Sequence, residues 1–296
     1  MKKLDTLVED IYGLFDGYYI PGLHHSQDKT QKHMDEMLSA IEEAVKTSLA
    51  TSGKKRDIYL RMSNIGKPDK QLWYEHQKDV AKEELRPDTY IKFLYGHIIE
   101  ALLLFLVKEA GHEVTHEQAE VEIDNVKGHM DAMIDGIPVD VKSASKFGFQ
   151  KFVNGELAND DPFGYIAQIS AYAQANNKEE GAFLVMEKSL GKLTVMNVHS
   201  MEMIDAAARI AHMKEVVESE TPPDRCYEPV ADGKSGNEKL CVSCSYCPYK
   251  EDCWSDANDG EGLYTYLYST GPRYLVTVVR EPKVERHLAD AQAKAQ

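Results

Sequence analysis

Residues 30 to 50, TQKHMDEMLSAIEEAVKTSLA, carry apolar side chains at helical spacing. Met34, Met37, Leu38, Ile41, Ala44 and Val45 form one stripe, which predicts an amphipathic helix. TSGKKRD breaks the pattern, and IYLRMSNIGKPDKQLWYEHQ then predicts a short strand, a cap at Ser63 and a turn at Gly66–Pro68. YIKFLYGHIIEALLLFLVKEAGHEV is strongly apolar and predicts a helix that stops at Gly111. Residues 113 to 123 and 126 to 134 alternate as strands do, and DGIPVDVKSAS turns at Asp-Gly into a third strand. DPFGYIAQISAYAQANN predicts a helix, and GAFLVMEKS and KLTVMNVHS predict two strands around Leu190–Gly191. MEMIDAAARIAHMKEVVES predicts a helix stopped by Pro222 and Pro223. A late strand, RYLVTVVRE, precedes a polar, Ala-rich tail. The order of elements predicts an α/β (α+β) fold with a mixed central sheet flanked by helices.

Composition narrows the function classes. The 296 residues suffice for one large domain, or one domain with an appended module. Lys plus Arg number 34 against 49 Asp plus Glu, a net charge of −15. That excludes broad, sequence-blind coating of nucleic acid, but not a local basic groove. The N-terminus, MKKLDTLVEDIYGLF, is broken by acids and reads as no secretory signal. No uninterrupted apolar run reaches the roughly 18 residues of a membrane span, so no membrane is expected.

The stretch from Gly128 to Ser145, GHMDAMIDGIPVDVKSAS, carries the candidate chemistry. Residues two apart on a strand share a face, so Asp140 and Lys142 point one way, with Val139 and Val141 on the other. If the strands pair across Asp135–Gly136, Asp131 lies near Asp140. Two carboxylates held close repel, which raises one pKa. A hard divalent cation removes that cost, and Mg²⁺ takes one or two carboxylates plus phosphate oxygens and water. Lys142 beside it could orient or deprotonate a water and stabilise developing charge on phosphorus. An isolated D-x-K is an ordinary solvated strand face. Here it has company: Gly96 and Glu100 on the apolar helix upstream, and Gln168 and Tyr172 four apart on one helical face downstream.

The ordered set G-x-x-x-E, G-x-x-D, D-x-K and Q-x-x-x-Y resembles the PD-(D/E)xK nuclease superfamily, in its RecB-type and lambda-exonuclease-like branch. The resemblance covers residues 60 to 255 and implies a restriction-endonuclease-like fold and hydrolysis of DNA with Mg²⁺ or Mn²⁺. Carried over residue by residue, it implies Glu100, Asp131, Asp140 and the Val141 carbonyl as metal ligands, with His97 an alternative or added contact. It implies Lys142 as the catalytic lysine. Gln168 and Tyr172 would contact the DNA backbone or support the site. The organisation expected is a helical region at 1–58, the nuclease core at 59–223, a Cys-rich segment at 224–256, and a strand with tail at 257–296.

All five cysteines lie between Cys226 and Cys253, and CVSCSYCPYKEDCW holds C-x2-C-x2-C-x5-C. Thiols clustered this way point to a metal site rather than disulfides. Cys244, Cys247 and Cys253 resemble the C-terminal triplet of iron–sulfur nucleases in the same superfamily, including CRISPR-associated RecB-like exonucleases and AddB-type subunits. That resemblance implies a 4Fe–4S cluster, with Zn²⁺ as the alternative. The family's distant fourth cysteine is missing from KPDKQLWYE, so the fourth ligand is Cys226, preferred for its longer loop, or Cys241.

Lys54, Lys55 and Arg56, with Arg61, Lys67 and Lys70, form the most basic neighbourhood, a candidate strand-guiding rim. Trp73 and Tyr74 are candidates for base stacking, although LWY on a helix is more often core. No nucleotide-motor motif is present, so the expectation is a stand-alone nuclease of the kind phages and mobile elements encode, working in the (host) cytoplasm. An exonuclease in recombination, repair or DNA degradation is expected first. A structure-specific endonuclease and a non-catalytic DNA-binding or assembly subunit are the alternatives. DNA is the expected partner, and the reading leaves room for a recombination or replication protein and for a homo-oligomer.

Overall fold

The structure, a computed structural model, describes residues 2–16, 27–51, 59–77, 87–158 and 160–287. Lys54, Lys55 and Arg56 lie outside the described residues. The longer helices are α1 (Leu7–Gly13), α2 (Gln27–Thr51), α3 (Asp69–His76), α4 (Pro87–Glu109), α5 (Lys146–Val153), α6 (Tyr165–Ala175) and α7 (Ala206–Glu218). The strands of the first half are β1 (Val114–Thr115), β2 (Ala119–Ile123), β3 (Val126–Met130), β4 (Ala132–Ile134), β5 (Ile137–Ala144), β6 (Glu180–Glu187) and β7 (Lys192–His199). Five more follow: β8 (Val230–Ala231), β9 (Glu238–Lys239), β10 (Tyr264–Tyr268), β11 (Gly271–Thr277) and β12 (Arg286–His287). They group into two compact units, one within residues 1–67 and 85–214, the other within 68–84 and 215–296. In this grouping α3 belongs with the C-terminal segment.

The first unit is built on a five-stranded mixed sheet in the order β1-β4-β5-β6-β7. β4 and β5 pair antiparallel across the expected Asp135–Gly136 turn, with Ile134 opposite Ile137. β5 and β6 run parallel. A parallel pair needs a crossover, and α5 and α6 supply it. Val139 and Val141 of β5 join Ala182 and Leu184 of β6 in a core with Ile99, Leu103, Leu104 and Val107 of α4 and Leu7 and Ile11 of α1. Strand alternation sends Asp140 and Lys142 to the opposite face. There Phe183, opposite Asp140 in the ladder, packs against Phe152 and Tyr165. The mixed, helix-flanked sheet is as expected.

Four local expectations are corrected. Arg61 makes only an isolated bridge to Lys127 instead of a strand. A short 3-10 helix, Met62–Asn64, follows it, and the side chain of Asn64, not Ser63, accepts the Arg61 N–H. The two alternating runs each split: His116 and Gln118 take positive φ between β1 and β2, and Asp131 separates β3 from β4. β2 and β3 thereby form their own two-stranded sheet. Lastly, α4 is long and apolar enough to cross a membrane even with Lys92 and Glu100 inside it. In this fold one side of it covers the central sheet.

The second unit contains a five-stranded sheet, β12-β10-β11-β9-β8, of which the sequence pattern exposes only β11. Leu240, Cys244, Trp254, Ala257 and Leu263 form its core. The Arg225 guanidinium lies 4.0 Å from the centre of the Trp254 ring and donates to the Cys253 carbonyl at 3.0 Å. The Trp73 indole donates to the Ser219 carbonyl at 2.8 Å, and Tyr74 stacks on Tyr249. Trp73 and Tyr74 are thus structural rather than base-stacking residues.

Candidate active site

The register of β4 on β5 sets the site. Ala132 faces Val139, so the next position outward brings Asp131 beside Asp140. Asp131 lies where the chain leaves the β2–β3 ribbon for the central sheet. Its carbonyl accepts the Gln118 N–H at 3.1 Å, and its Oδ2 accepts the Val141 N–H at 2.7 Å. Asp140 is 1% exposed, and its Oδ2 meets the Lys142 ammonium in a close ion pair. Lys142 Nζ sits 4.9 Å from the centre of the Tyr165 ring.

These charges act on one another. Burial pushes the Asp131 carboxyl well above the usual range, and the charges of Asp140 and Glu100 push the same way. Burial also raises Asp140, with the Lys142 charge opposing it. For Lys142 burial alone would favour the neutral amine, but Asp140 and Asp131 outweigh it and hold the ammonium charged above the ordinary lysine range. Carboxyls perturbed by burial and by a like charge are a feature of functional sites.

Glu100 projects from α4 close enough to influence both aspartates. It is held by Gln118, whose Nε2 donates to Oε1 at 2.6 Å, while His97 Nδ1 lies 3.7 Å from Oε2. The helix motif has two buried functions. Tyr172 is 1% exposed, so of the two roles expected for it only support is open. Its hydroxyl donates to the His129 carbonyl at 2.8 Å and accepts from Gln168 Nε2 at 3.0 Å. This explains the glycine of G-x-x-D. A Cβ on Gly128 would lie 2.7 Å from Met62 Cβ and 3.0 Å from the Tyr172 ring, so only glycine lets β3 pass.

The donor set suits a hard divalent cation: oxygen ligands, and two neighbouring carboxyls that burial pushes toward the protonated form. Two carboxylates are enough for Mg²⁺ when water and phosphate complete its shell. Among the described residues no group of three or more His, Cys, Asp or Glu gathers around a metal position, so Glu100 does not close on the aspartates here.

Among the described residues the cysteines do not gather around a metal position either. All five are free thiols. Burial raises Cys226, Cys253 and Cys244, the last also through Cys241 beside it, and pushes Cys247 up to about 11. Cys226 accepts backbone N–H groups of Gln71 and Lys70, so α3 meets this thiol at the place where the expected distant cysteine is missing. Cys241 pairs with Cys244. The thiols converge on one locality but do not fit a closed four-thiolate cage in this arrangement.

Two site residues escape the sequence reading. Tyr165 precedes Gln168 by three residues, a spacing that puts both on one helical face and could have flagged it. Gln118 has no such signal, since its left-handed φ of 52° is invisible in the sequence.

No protein-family model and no curated protein matches the chain. Solved structures resemble it distantly. The crystal structure of SSO0001 shares 15% identity over 73% of this chain and 93% of its own, with a TM-score of 0.40. An alkaline exonuclease, LHK-Exo from Laribacter hongkongensis, shares 15% identity over 52% of this chain and 85% of its own, with a TM-score of 0.33. LHK-Exo in complex with dAMP shares 13% identity over 53% of this chain and 86% of its own, with a TM-score of 0.31. Similarity at this level leaves function to the chemistry of the site.

Proposed function

We propose that the chain is a metal-dependent DNA nuclease, acting as an exonuclease in recombination, repair or degradation of DNA. The observation that carries this reading is the trio of buried Asp140, half-buried Asp131 beside it, and Lys142 in a close ion pair with Asp140. Asp131 and Asp140 would hold Mg²⁺ or Mn²⁺, with Glu100 and the Val141 carbonyl as further candidates. The ion would neutralise the pair and act as a Lewis acid on a phosphate oxygen. Lys142, kept charged by its neighbours, is suited to donate hydrogen bonds to the attacking water and the phosphate oxygens rather than to take a proton. Tyr172 and Gln168 position β3, and with it Asp131, through the His129 carbonyl.

One observation favours a second reading, a DNA-binding subunit that retains the fold: among the described residues no third protein ligand gathers with the two aspartates. Incubation of end-labelled linear DNA and closed circular DNA with Mg²⁺, Mn²⁺ or EDTA separates the cases. Release of labelled nucleotide from linear DNA alone, abolished by EDTA, is the expected result. A cut circle would mean an endonuclease. Retention of DNA without cleavage in either metal would mean the subunit.

A further inference from the structure

The site has an aromatic rim that the catalytic reading leaves unused. β5 continues from Lys142 into α5 through KSASKFGFQK, residues 142–151, which hold three lysines and no acid in a chain of net charge −15. Phe147, in the first turn of α5, is 77% exposed. Phe163, in the loop before α6, is 64% exposed. A phenylalanine ring has no polar group to satisfy in water, and single exposed ones are ordinary on protein surfaces. These two are not scattered. The Lys151 ammonium lies 5.6 Å from the centre of the Phe147 ring and pairs with Asp160, three residues before Phe163. The Phe163 ring is 5.5 Å from the Tyr165 ring, tilted by 30°, and the Lys142 ammonium lies 4.9 Å from the centre of that same Tyr165 ring. Phe163 is therefore one ring removed from the catalytic lysine.

The Phe163 loop is also held in place. Gly164 and Gly66 meet backbone to backbone, so closely that a Cβ on Gly164 would lie 2.4 Å from the Gly66 Cα. The Asp161 carboxylate accepts the Ile166 N–H at 2.8 Å, fixing the start of α6. An exposed ring on a pinned loop is a preorganised surface, which loses little freedom when something covers it.

We infer that Phe163, with Phe147 beyond it, is a stacking platform for unpaired bases next to the cleaved phosphate, so that the site takes single-stranded DNA or a frayed end. The inference rests on the nuclease reading for the position of the phosphate. Every base offers a π-face to such a ring, and Lys146, next to Phe147, adds attraction to the backbone. A paired base presents its stacking face to its neighbours in the duplex instead, so the platform selects against intact duplex.

The test measures binding in EDTA, where no cleavage intervenes. The probe is a single-stranded oligonucleotide with 2-aminopurine near its end, compared with one carrying abasic residues at the same positions. Wild-type protein is expected to quench the 2-aminopurine fluorescence and to bind the base-bearing strand roughly 10- to 100-fold more tightly than the abasic one. Phe163→Ala should remove most of that discrimination, Phe147→Ala a smaller part, and Phe163→Trp should restore it. Both rings are exposed, so their truncation leaves the core packed. Undiminished discrimination in Phe163→Ala, or wild-type protein indifferent to the missing bases, overturns the platform and points to a protein partner for these rings. Discrimination lost in Phe163→Ala while wild-type protein cleaves nothing in Mg²⁺ or Mn²⁺ would uphold the platform and reject the nuclease reading.

Discussion

The backbone N–H of Val141 donates to Oδ2 of Asp131 at 2.7 Å. This bond crosses from β5 to the residue that separates β3 from β4, and it holds one buried carboxylate against the strand that carries another. The arrangement costs folding energy, because both carboxyls are pushed up by burial and Asp131 also by its charged neighbours. Asp131→Asn keeps an acceptor for Val141 and removes the charge. It should abolish metal-dependent cleavage, yet melt no lower than wild type in EDTA.

The pH dependence has a definite sign. A carboxyl raised in the folded state binds more protons there than in the unfolded chain, so stability falls as pH rises from the unfolded value through the folded one. The Asp131→Asn variant, with no carboxyl to titrate at this position, escapes that loss. In thermal melts in EDTA its advantage should therefore be absent near about pH 4 and grow as pH rises. A wild-type protein that gains on the variant as pH rises would show that Asp131 is stabilised as an anion, against the raised value.

Lys142→Ala removes the charged donor and leaves the strand intact. Loss of one preorganised charge in a transition state costs ~3–4 kcal/mol, or about 10²–10³ in rate. Single-turnover cleavage of end-labelled DNA measures it, with circular dichroism as the check on folding. An unchanged rate would remove Lys142 from the chemistry.

Tyr172→Phe, at a buried ring, leaves the His129 carbonyl without this donor and Gln168 Nε2 without its acceptor. Stranding a buried polar group costs ~1–3 kcal/mol. Urea unfolding should report a loss of that order. A neutral outcome would mean that β3 relaxes to find another donor.

The two glycines of the upstream motifs should behave oppositely. A Cβ on Gly96 meets nothing within 4 Å, so Gly96→Ala in the middle of α4 should stabilise by roughly 0.5–1 kcal/mol. A Cβ on Gly128 lands 2.7 Å from Met62, so Gly128→Ala should destabilise by about 1–3 kcal/mol. Denaturant midpoints for the pair decide whether the glycine of G-x-x-x-E has any packing role.

Much of the first unit was legible because its signals are local. The period-2 alternation in β5, the Asp-Gly turn and the apolar run of α4 each depend on neighbours in sequence, and jointly they gather Asp131, Asp140 and Lys142 in one place. The splits at His116–Gln118 and at Asp131 were not legible, since they arise from which strands pair at long range. The second sheet was hidden for a related reason. β8, β9 and β12 have two residues each, too short for alternation to register. The placement of α3 beside Cys226 depends on packing between residues some 150 positions apart, which no motif spacing records. The same limit applies to Glu100: the motif brought it to the neighbourhood of the aspartates, but Gln118, on a left-handed turn, decides where its carboxylate rests.

The most direct test of the Asp131–Asp140–Lys142 site is calorimetric titration of Mn²⁺ into wild-type protein and Asp140→Asn, paired with cleavage of end-labelled single-stranded DNA by the same preparations. Wild-type protein should bind the ion and release nucleotide only in its presence. Asp140→Asn should do neither while remaining folded. Equal Mn²⁺ binding and equal cleavage by the two proteins would contradict the site; absence of both in the wild type would contradict the nuclease reading itself.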